Sequence, residues 1–176
     1  MSDSNVTKKM LADSMKKRMR RQPFDKISVS DLCGDCNINR KSFYYHFRDK
    51  YDLVNWIFFV DVVGEMDLDS YKSGWDWMVD ISRFFYRDKE FYRCALEIEG
   101  QNSFKEYLIE TMWPISQFFL KDLLPGMEHD EFFMSFICDT LITALVRWLS
   151  GGYGRDMTAE QFVEKIREVF RAMGKV

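Results

Sequence analysis

The densest chemistry in the chain lies in Arg40-Lys41-Ser42-Phe43-Tyr44-Tyr45-His46-Phe47, with Lys50 close behind. Arginine and lysine can bond guanine edges or phosphates, and serine and tyrosine hydroxyls reach phosphate oxygens. Phe43 and Phe47 lie four apart and share one helical face, which is ordinary core spacing. Arg40, Lys41, Ser42, Tyr44, Tyr45 and His46 fall on the remaining faces. Such an array on a helix that follows a tight turn is what a major-groove recognition helix requires. Taken alone, Tyr44, Tyr45 and His46 read equally well as a solvated face. The basic first turn and Lys50 move the reading to double-stranded DNA. Base reading is assigned to Arg40, Lys41 and Ser42. Phosphate anchoring is assigned to Ser28, Tyr44, Tyr45, His46 and Lys50.

A recognition helix needs elements that hold it at an angle. Ser28 is an N-cap with Asp31 three residues on, a capping-box pair. The helix it starts runs to about Cys36, with Val29, Leu32, Cys33 and Cys36 inward. Asn37 tolerates a left-handed turn, and Ile38 fills the angle between the helices. Asn39 caps the second helix and joins the DNA-facing set. Upstream, residues 1–6 read as frayed, and Thr7 caps a helix to about Gln22 with Leu11, Ala12, Met15 and Met19 as its buried stripe. Pro23 ends it, and Phe24 and Ile27 pack beneath the pair. The result is a three-helix head.

Charge follows the same division. Residues 1–50 hold 12 Lys and Arg against 6 Asp and no Glu, a net of +6. The remaining 126 residues hold 13 Lys and Arg against 22 Asp and Glu, a net of −9. A basic head on an acidic body fits a two-part DNA-binding protein better than the overall −3 suggests. Cys33 and Cys36 form a CxxC, which could be a redox pair or half a zinc site. No second Cys/His pair has ligand spacing, and His46 and His129 are the only histidines, so no metal is expected. Small buried packing residues are the preferred reading. No cofactor is expected either.

Beyond the head, the apolar residues keep helical spacing throughout, and no strand-like alternation persists. The spacing predicts helices from about Tyr51 to Val63, Gly74 to Arg87, Asp88 to Ile98 and, capped by Ser103, from Phe104 onward. Pro114 predicts a kink or break. Pro125-Gly126 reads as a turn, Asp130 to Leu149 as the longest apolar helix, and Thr158 with Gln161 as a capping box for a last helix. The fold class is all-α: a three-helix N-terminal head with a helix-turn-helix, residues 1–52, then a helical bundle, residues 53–176. No run of about 18 apolar residues and no signal peptide are evident, so no membrane partner and a cytoplasmic location are expected.

The run Phe43-Tyr44-Tyr45-His46-Phe47, followed by Asp49-Lys50-Tyr51-Asp52-Leu53, resembles the end of the DNA-binding domain of TetR/AcrR-type transcriptional regulators. The signature there is an aromatic or Leu, Tyr, any residue, His or Tyr, Phe, then a loop and Lys. The preceding helix of that family carries an Ile-Ala pair and an Ala-Gly turn. Here Leu32-Cys33 and Cys36-Asn37 stand in those places, so Cys replaces a small Ala and Asn replaces the turn Gly. The match covers roughly residues 7–55. The stretch Pro23 to Cys33, with Asn39 to Phe47 and Asp49 to Val54, further resembles the branch that includes activators of dihydroxyacetone kinase operons. In that branch a kinase-like protein can serve as coactivator.

The resemblance implies a body that binds an effector and a homodimer built on the last two long helices. It implies an apolar pocket for which Trp75, Phe84, Phe91, Tyr92, Phe104, Tyr107 and Trp113 are candidates, although each could equally fill core. Phe133, Ile137, Leu141, Leu145, Trp148, Phe162, Ile166 and Phe170 are the dimer-interface candidates. Dimerisation also suits the DNA: two recognition helices about 34–36 Å apart read a near-palindrome. The expected function is an operator-binding transcriptional regulator modulated by a small-molecule effector or a coactivator protein. An enzyme is not expected, since no Ser/His/Asp set, paired metal motif or phosphate loop is present. The alternative is a helical protein-interaction adaptor, or a coactivator-dependent activator with no small-molecule ligand of its own.

Overall fold

A computed structural model describes residues 3–100, 103–123, 130–154 and 156–173, and every regular element among them is a helix. In order these are α1 (Asp3–Met19), α2 (Val29–Asp35), α3 (Arg40–His46), α4 (Lys50–Asp61), α5 (Gly74–Arg87), α6 (Lys89–Leu96), α7 (Phe104–Leu123), α8 (Glu131–Leu149) and α9 (Ala159–Met173). Short 3₁₀ turns stand at Phe24–Lys26, Val63–Glu65 and Leu68–Ser70.

The helix starts are where the polar side chains dictate. Asp49, Ser73, Ser103 and Asp130 each accept the backbone N–H three residues on, at 2.8, 3.2, 3.2 and 2.9 Å. Thr158 and Gln161 complete the expected reciprocal box at 3.0 and 3.3 Å. α8 ends with Gly151 at φ 82°. The Gly152 N–H bonds the Arg147 carbonyl at 2.8 Å and the Gly151 N–H bonds that of Trp148 at 3.0 Å, the two bonds of a Schellman motif. Two expectations need correction. α1 begins at Asp3, so residues 3–6 are helical rather than frayed. Of the kink or break expected at Pro114, the break does not occur, since α7 runs on through it. The turn expected at Pro125-Gly126 lies outside the described residues.

The chain packs as two compact units, Met1–Met66 with Glu90–Leu108, and Asp67–Lys89 with Ile109–Val176. In the first, α1 to α4 enclose Leu11, Met15, Leu32, Phe43, Leu53 and Phe58, all at or near zero exposure. Phe58 meets Phe104 edge-on at 5.6 Å, and Tyr92 lies 6.0 Å from the same ring. In the second, Trp148 is fully buried, stacked on Phe162 at 4.5 Å and on Tyr86 at 5.7 Å. Its indole N–H donates to the Met157 carbonyl at 3.0 Å. Trp77 stacks on Phe119 at 4.9 Å, and Trp113, Phe133, Leu141 and Phe170 close over Leu120, Met134, Ile137 and Cys138.

α8 is long and apolar enough, by length and composition, to cross a membrane, with a mean hydropathy of 1.6 and 33% of that window buried within the chain. From sequence no run of about 18 apolar residues is evident, yet this helix qualifies with its few charges included. The charges Glu131, Asp139 and Arg147 break it only at wide intervals.

Trp148 concentrates two ring stacks and a part-buried hydrogen bond in one side chain. Trp148→Ala is expected to cost about 3–5 kcal/mol, whereas Phe118→Ala, at an exposed ring, stays within about 0.5 kcal/mol. Urea denaturation of both variants measures the contrast.

Candidate nucleic-acid interface

The site is built on α2 and α3, two helices of 7 residues each. Ser28 and Asp31 form the complete box. The Ser28 hydroxyl accepts the Asp31 N–H at 3.1 Å, and the Asp31 carboxylate accepts the Ser28 N–H at 2.9 Å and its hydroxyl at 2.6 Å. The hydroxyl bond, then the N–H bond, hold the Asp31 carboxyl below its ordinary range.

At the other end of α2 the chain reverses through Asn37, at φ 51° the only non-glycine residue with positive φ among those described. The Ile38 N–H bonds the Cys33 carbonyl at 3.0 Å, and the Asn37 N–H bonds that of Gly34 at 3.3 Å. This is a second Schellman motif, with Asn in the place usually held by Gly. Asn39 then starts α3, its side-chain oxygen accepting the Ser42 N–H at 2.8 Å and the Ser42 hydroxyl at 3.2 Å.

α2 is clamped to α1 through Asp35. Its carboxylate accepts Arg18 Nε at 2.6 Å, Arg18 Nη2 at 2.8 Å and the buried Ser14 hydroxyl at 2.6 Å. Arg18 also donates to the Asp31 carbonyl at 3.3 Å. The Arg18 bonds, then the Ser14 bond, push the Asp35 carboxyl down to about 2. Arg18 lies off the buried stripe of α1, and helical spacing alone does not reveal this clamp. A signal for it existed: a carboxylate at a helix C-terminus opposes the helix dipole and calls for a nearby cation.

α3 buries Phe43 and Phe47, and Phe47 packs on Trp56 at 5.6 Å. The Lys8 ammonium lies 5.7 Å from the Phe47 ring centre and 5.6 Å from that of Trp56. The opposite side is open. Arg40 reaches the Tyr44 hydroxyl at 3.4 Å, and its guanidinium stands 5.9 Å from that ring. Lys41 is exposed, and Tyr45 is 82% exposed. His46 is half-buried, and burial together with Lys8 lowers its proton affinity, so the neutral imidazole is favoured.

The DNA-facing candidates therefore sort into three kinds. Arg40, Lys41, Tyr44 and Tyr45 present exposed side chains on one helix, with His46 beside them. Ser28, Asn39 and Ser42 spend hydrogen bonds on the caps. Lys50, offered to a phosphate by sequence, turns inward instead. Its ammonium donates to the Phe24 and Ile27 carbonyls at 2.9 and 3.0 Å.

The body candidates are also redistributed. Phe91, Tyr92 and Phe104 are fully buried in the first unit, with Tyr107 6.1 Å from Phe58. Trp75, Phe84 and Trp113 belong to the second unit, where all three are half-buried. Ile137, Trp148 and Phe162 are buried inside that unit, and Phe133, Leu141 and Phe170 complete its core. Leu145 and Ile166 are half-buried. As a correction, most of the dimer candidates serve the chain's own packing. The exposed aromatics of α8 are Phe132 and Phe136, one position away. Apolar residues surround more than one face of α8, so spacing alone does not say which face turns inward.

Cys33 and Cys36 are buried and unbridged, and burial pushes both thiols up, which suits packing rather than reactivity. Among the described residues no three His, Cys, Asp or Glu side chains gather as a metal cluster. An open groove of about 440 Å³, which sequence did not suggest, lies between Met19–Asp25 and Arg93 and Cys94 of α6, with Glu97 just beyond its end.

Two capped helices at a Schellman turn, with a basic and aromatic outer face on the second, define a helix-turn-helix DNA-binding protein. A family model described as bacterial regulatory proteins, tetR family, matches residues 16–57, and one described as a transcriptional regulator C-terminal region of the TetR type matches residues 75–172. The chain belongs to the TetR family of transcriptional regulators. Over 100 residues it is 30% identical to the HTH-type dhaKLM operon transcriptional activator DhaS of Lactococcus lactis subsp. lactis (strain IL1403). That alignment takes in 56% of this chain and 54% of the relative, so the chain spans about half the length of the curated protein it matches. Among solved structures, dihydroxyacetone kinase operon activator DhaS aligns over 96% of each chain with a TM-score of 0.66 and 21% identity. NalD, the secondary repressor of the MexAB-OprM multidrug efflux pump in Pseudomonas aeruginosa, aligns over 97% of this chain and 96% of its own with a TM-score of 0.64 and 16% identity. At these identities the structural likeness is one of fold.

The Asp35 clamp carries a pH dependence of definite sign. Its folded pKa is depressed, so its stabilisation is fully present above the ordinary value of 3.8 and is lost as pH falls through about 2. Thermal melts between pH 5 and pH 2 are expected to show an acid limb that Asp35→Asn flattens in that window. An unchanged limb would mean that the clamp is not formed in solution.

Proposed function

We propose that this regulator binds a near-palindromic operator as a homodimer, with residues 1–52 as the DNA-binding head and residues 53–176 as the sensing and dimerising body. The observation that carries the reading is the outer face of α3. Arg40, Lys41, Tyr44 and Tyr45 are exposed on a helix whose two ends are both fastened. Arg40 and Lys41 read base edges; Tyr44, Tyr45 and His46 reach phosphates, with Ser28 at the α2 N-terminus. Ser42 and Asn39 serve chiefly by holding the first turn of α3. The protein acts in the cytoplasm, where its DNA is, and carries out no catalysis.

The dimer reading rests on α8. Phe132 and Phe136 are 81% and 57% exposed and stack on each other at 6.4 Å. Asp139, Thr140, Thr143 and Arg147 are exposed on the same helix. An outer face that mixes aromatics with an acid and an arginine suits a protein partner better than lipid, where buried charge is expensive. Val169 on α9 is 56% exposed as well. An effector or partner that prefers one spacing of the two heads shifts operator affinity by its differential affinity for that spacing.

A second reading concerns the effector. The relative's name makes it a transcriptional activator, and Phe91, Tyr92 and Phe104 are fully buried with Tyr92 in ring contact with both of the others. Both favour a body that receives a coactivator protein on its outside over one that encloses a small molecule.

Fluorescence anisotropy with DNA from around the chain's own gene, titrated against salt, tests the DNA reading. Saturable binding stronger than to scrambled DNA and falling steeply with salt is expected. Arg40→Ala should lose about 1–3 kcal/mol of operator affinity and relax the preference at one position in each half-site. Equal binding of the two DNAs by the parent protein would sink the operator. Sedimentation velocity tests the dimer: Phe132→Glu with Phe136→Glu should shift it to monomer and weaken operator binding. A variant that stays dimeric moves the interface elsewhere.

A further inference from the structure

Lys50 is the first residue of α4, and its side chain runs back beneath the head. Its ammonium donates to the carbonyls of Phe24 at 2.9 Å and Ile27 at 3.0 Å and lies 3.5 Å from that of Asp25. It also stands 4.2 Å from the centre of the Phe24 ring, which packs edge-on against Tyr51 at 4.9 Å. These carbonyls belong to the 3₁₀ turn Phe24–Lys26 and to Ile27, which ends it. The end of a helical turn gathers partial negative charge, so a cation is favoured there, and the Phe24 carbonyl takes the ammonium as a second partner beside the Ile27 N–H at 3.0 Å. A lysine ammonium has three donors and can serve three acceptors at once.

The turn it holds is not an ordinary loop. Ile27 is 1% exposed, and the next residue, Ser28, starts α2 through the capping box. α2 in turn sets α3 through Asn37. One side chain on α4 thus reaches the segment from which the whole reading pair is launched. Burial lowers the proton affinity of Lys50, with Asp25 acting the other way, as expected of an ammonium kept from bulk water.

We propose that Lys50 is a positioning residue: it latches the first turn of α4 to the Phe24–Ile27 carbonyls and so fixes the seat of α2 and α3 for DNA. Its charge is spent inside the head and not on a phosphate. The proposal rests on α3 being the DNA-reading helix. Arginine separates the two roles. A guanidinium keeps the charge and would serve a phosphate well, but its planar fork cannot place donors on three carbonyls grouped around one ammonium.

The test compares the full-length parent protein with Lys50→Met and Lys50→Arg at a temperature where circular dichroism shows all three folded. Anisotropy is read on DNA from around the chain's own gene and on scrambled DNA, each across a salt series. Both variants should lose about tenfold in specific affinity. Binding to scrambled DNA and the slope of log affinity against log salt should stay unchanged. A slope reduced by about 0.9 in Lys50→Met, with equal loss on both DNAs and recovery in Lys50→Arg, would make Lys50 a phosphate ligand and overturn the latch. Amide hydrogen exchange supplies a readout without DNA. Faster exchange across residues 24–32 in both variants is expected, and parent-like exchange there rejects the proposal even if no DNA is bound. Failure of the parent to bind any DNA, with exchange raised in the variants, would sink the α3 reading and leave the latch standing. Should Lys50→Met not fold, Lys50→Arg carries both measurements.

Discussion

Helices of seven residues do not hold a shape or an angle by themselves. A helix this short has a costly nucleus and too few internal bonds to offset it, so its stability and direction come from its ends and its packing. Both α2 and α3 are of this length, and everything the protein does with DNA depends on the angle between them. That angle is set at one residue. Asn37 holds φ at 51°, two Schellman bonds close around it, and Ile38 follows in the next position. Among side chains other than glycine, few adopt this conformation at low cost, because a branched or bulky Cβ meets the neighbouring carbonyl. Asn does so while remaining stiffer than glycine in the unfolded chain. The departure from the usual turn glycine is therefore a mild gain in rigidity rather than a defect.

The rest of the head supports that joint from outside. Arg18 and Ser14 on α1 meet Asp35 at the last turn of α2, next to the reversal. Ser28 and Asp31 secure the first turn, and Asn39 secures the start of α3. Phe43 and Phe47 bury the inner side of α3 against the head. Polar side chains that could have faced DNA are thus divided by task. Ser28, Asp31 and Asn39 satisfy backbone N–H groups at the helix starts, and Arg40, Lys41, Tyr44 and Tyr45 reach outward. Base reading needs both, because a flexible arginine on a loose helix loses to entropy much of what its hydrogen bonds contribute.

Much of this was legible in the chain itself, and the physical reason is locality. Ser28 with Asp31, Asn39 with Ser42, Ser103 with Glu106 and Thr158 with Gln161 act across three residues, so spacing alone reveals them. The all-helical class and the inward face of α3 follow from periodicity in the same way. The contacts that sequence reading missed are long-range. Arg18 meets Asp35 across 17 residues, and Lys50 meets Phe24 across 26. A lysine beside a recognition helix looks the same in sequence whether it points at a phosphate or at a carbonyl. Pro114 does not end its helix for a related cause: its missing N–H costs one bond, which the packing of a 20-residue helix can outweigh.

α8 shows where periodicity stops being informative. Phe132, Phe133, Met134, Phe136, Ile137, Leu141, Ile142, Leu145, Trp148 and Leu149 cover more than half of its circumference. A helix apolar on most sides can be seated in several rotations at similar cost in exposed area, so its spacing does not choose the buried face. The choice is made by shape. Met134, Ile137 and Cys138 fit against Leu120, and Trp148 finds both a ring to stack on and a carbonyl for its N–H. Once those places are taken, Phe132 and Phe136 are left outside with Thr140, Thr143 and Arg147. An apolar face left over after a core has closed is a larger exposed cost than a lone chain needs to carry. The same residues that make α8 hard to orient from sequence are therefore the ones that give a second copy something to cover.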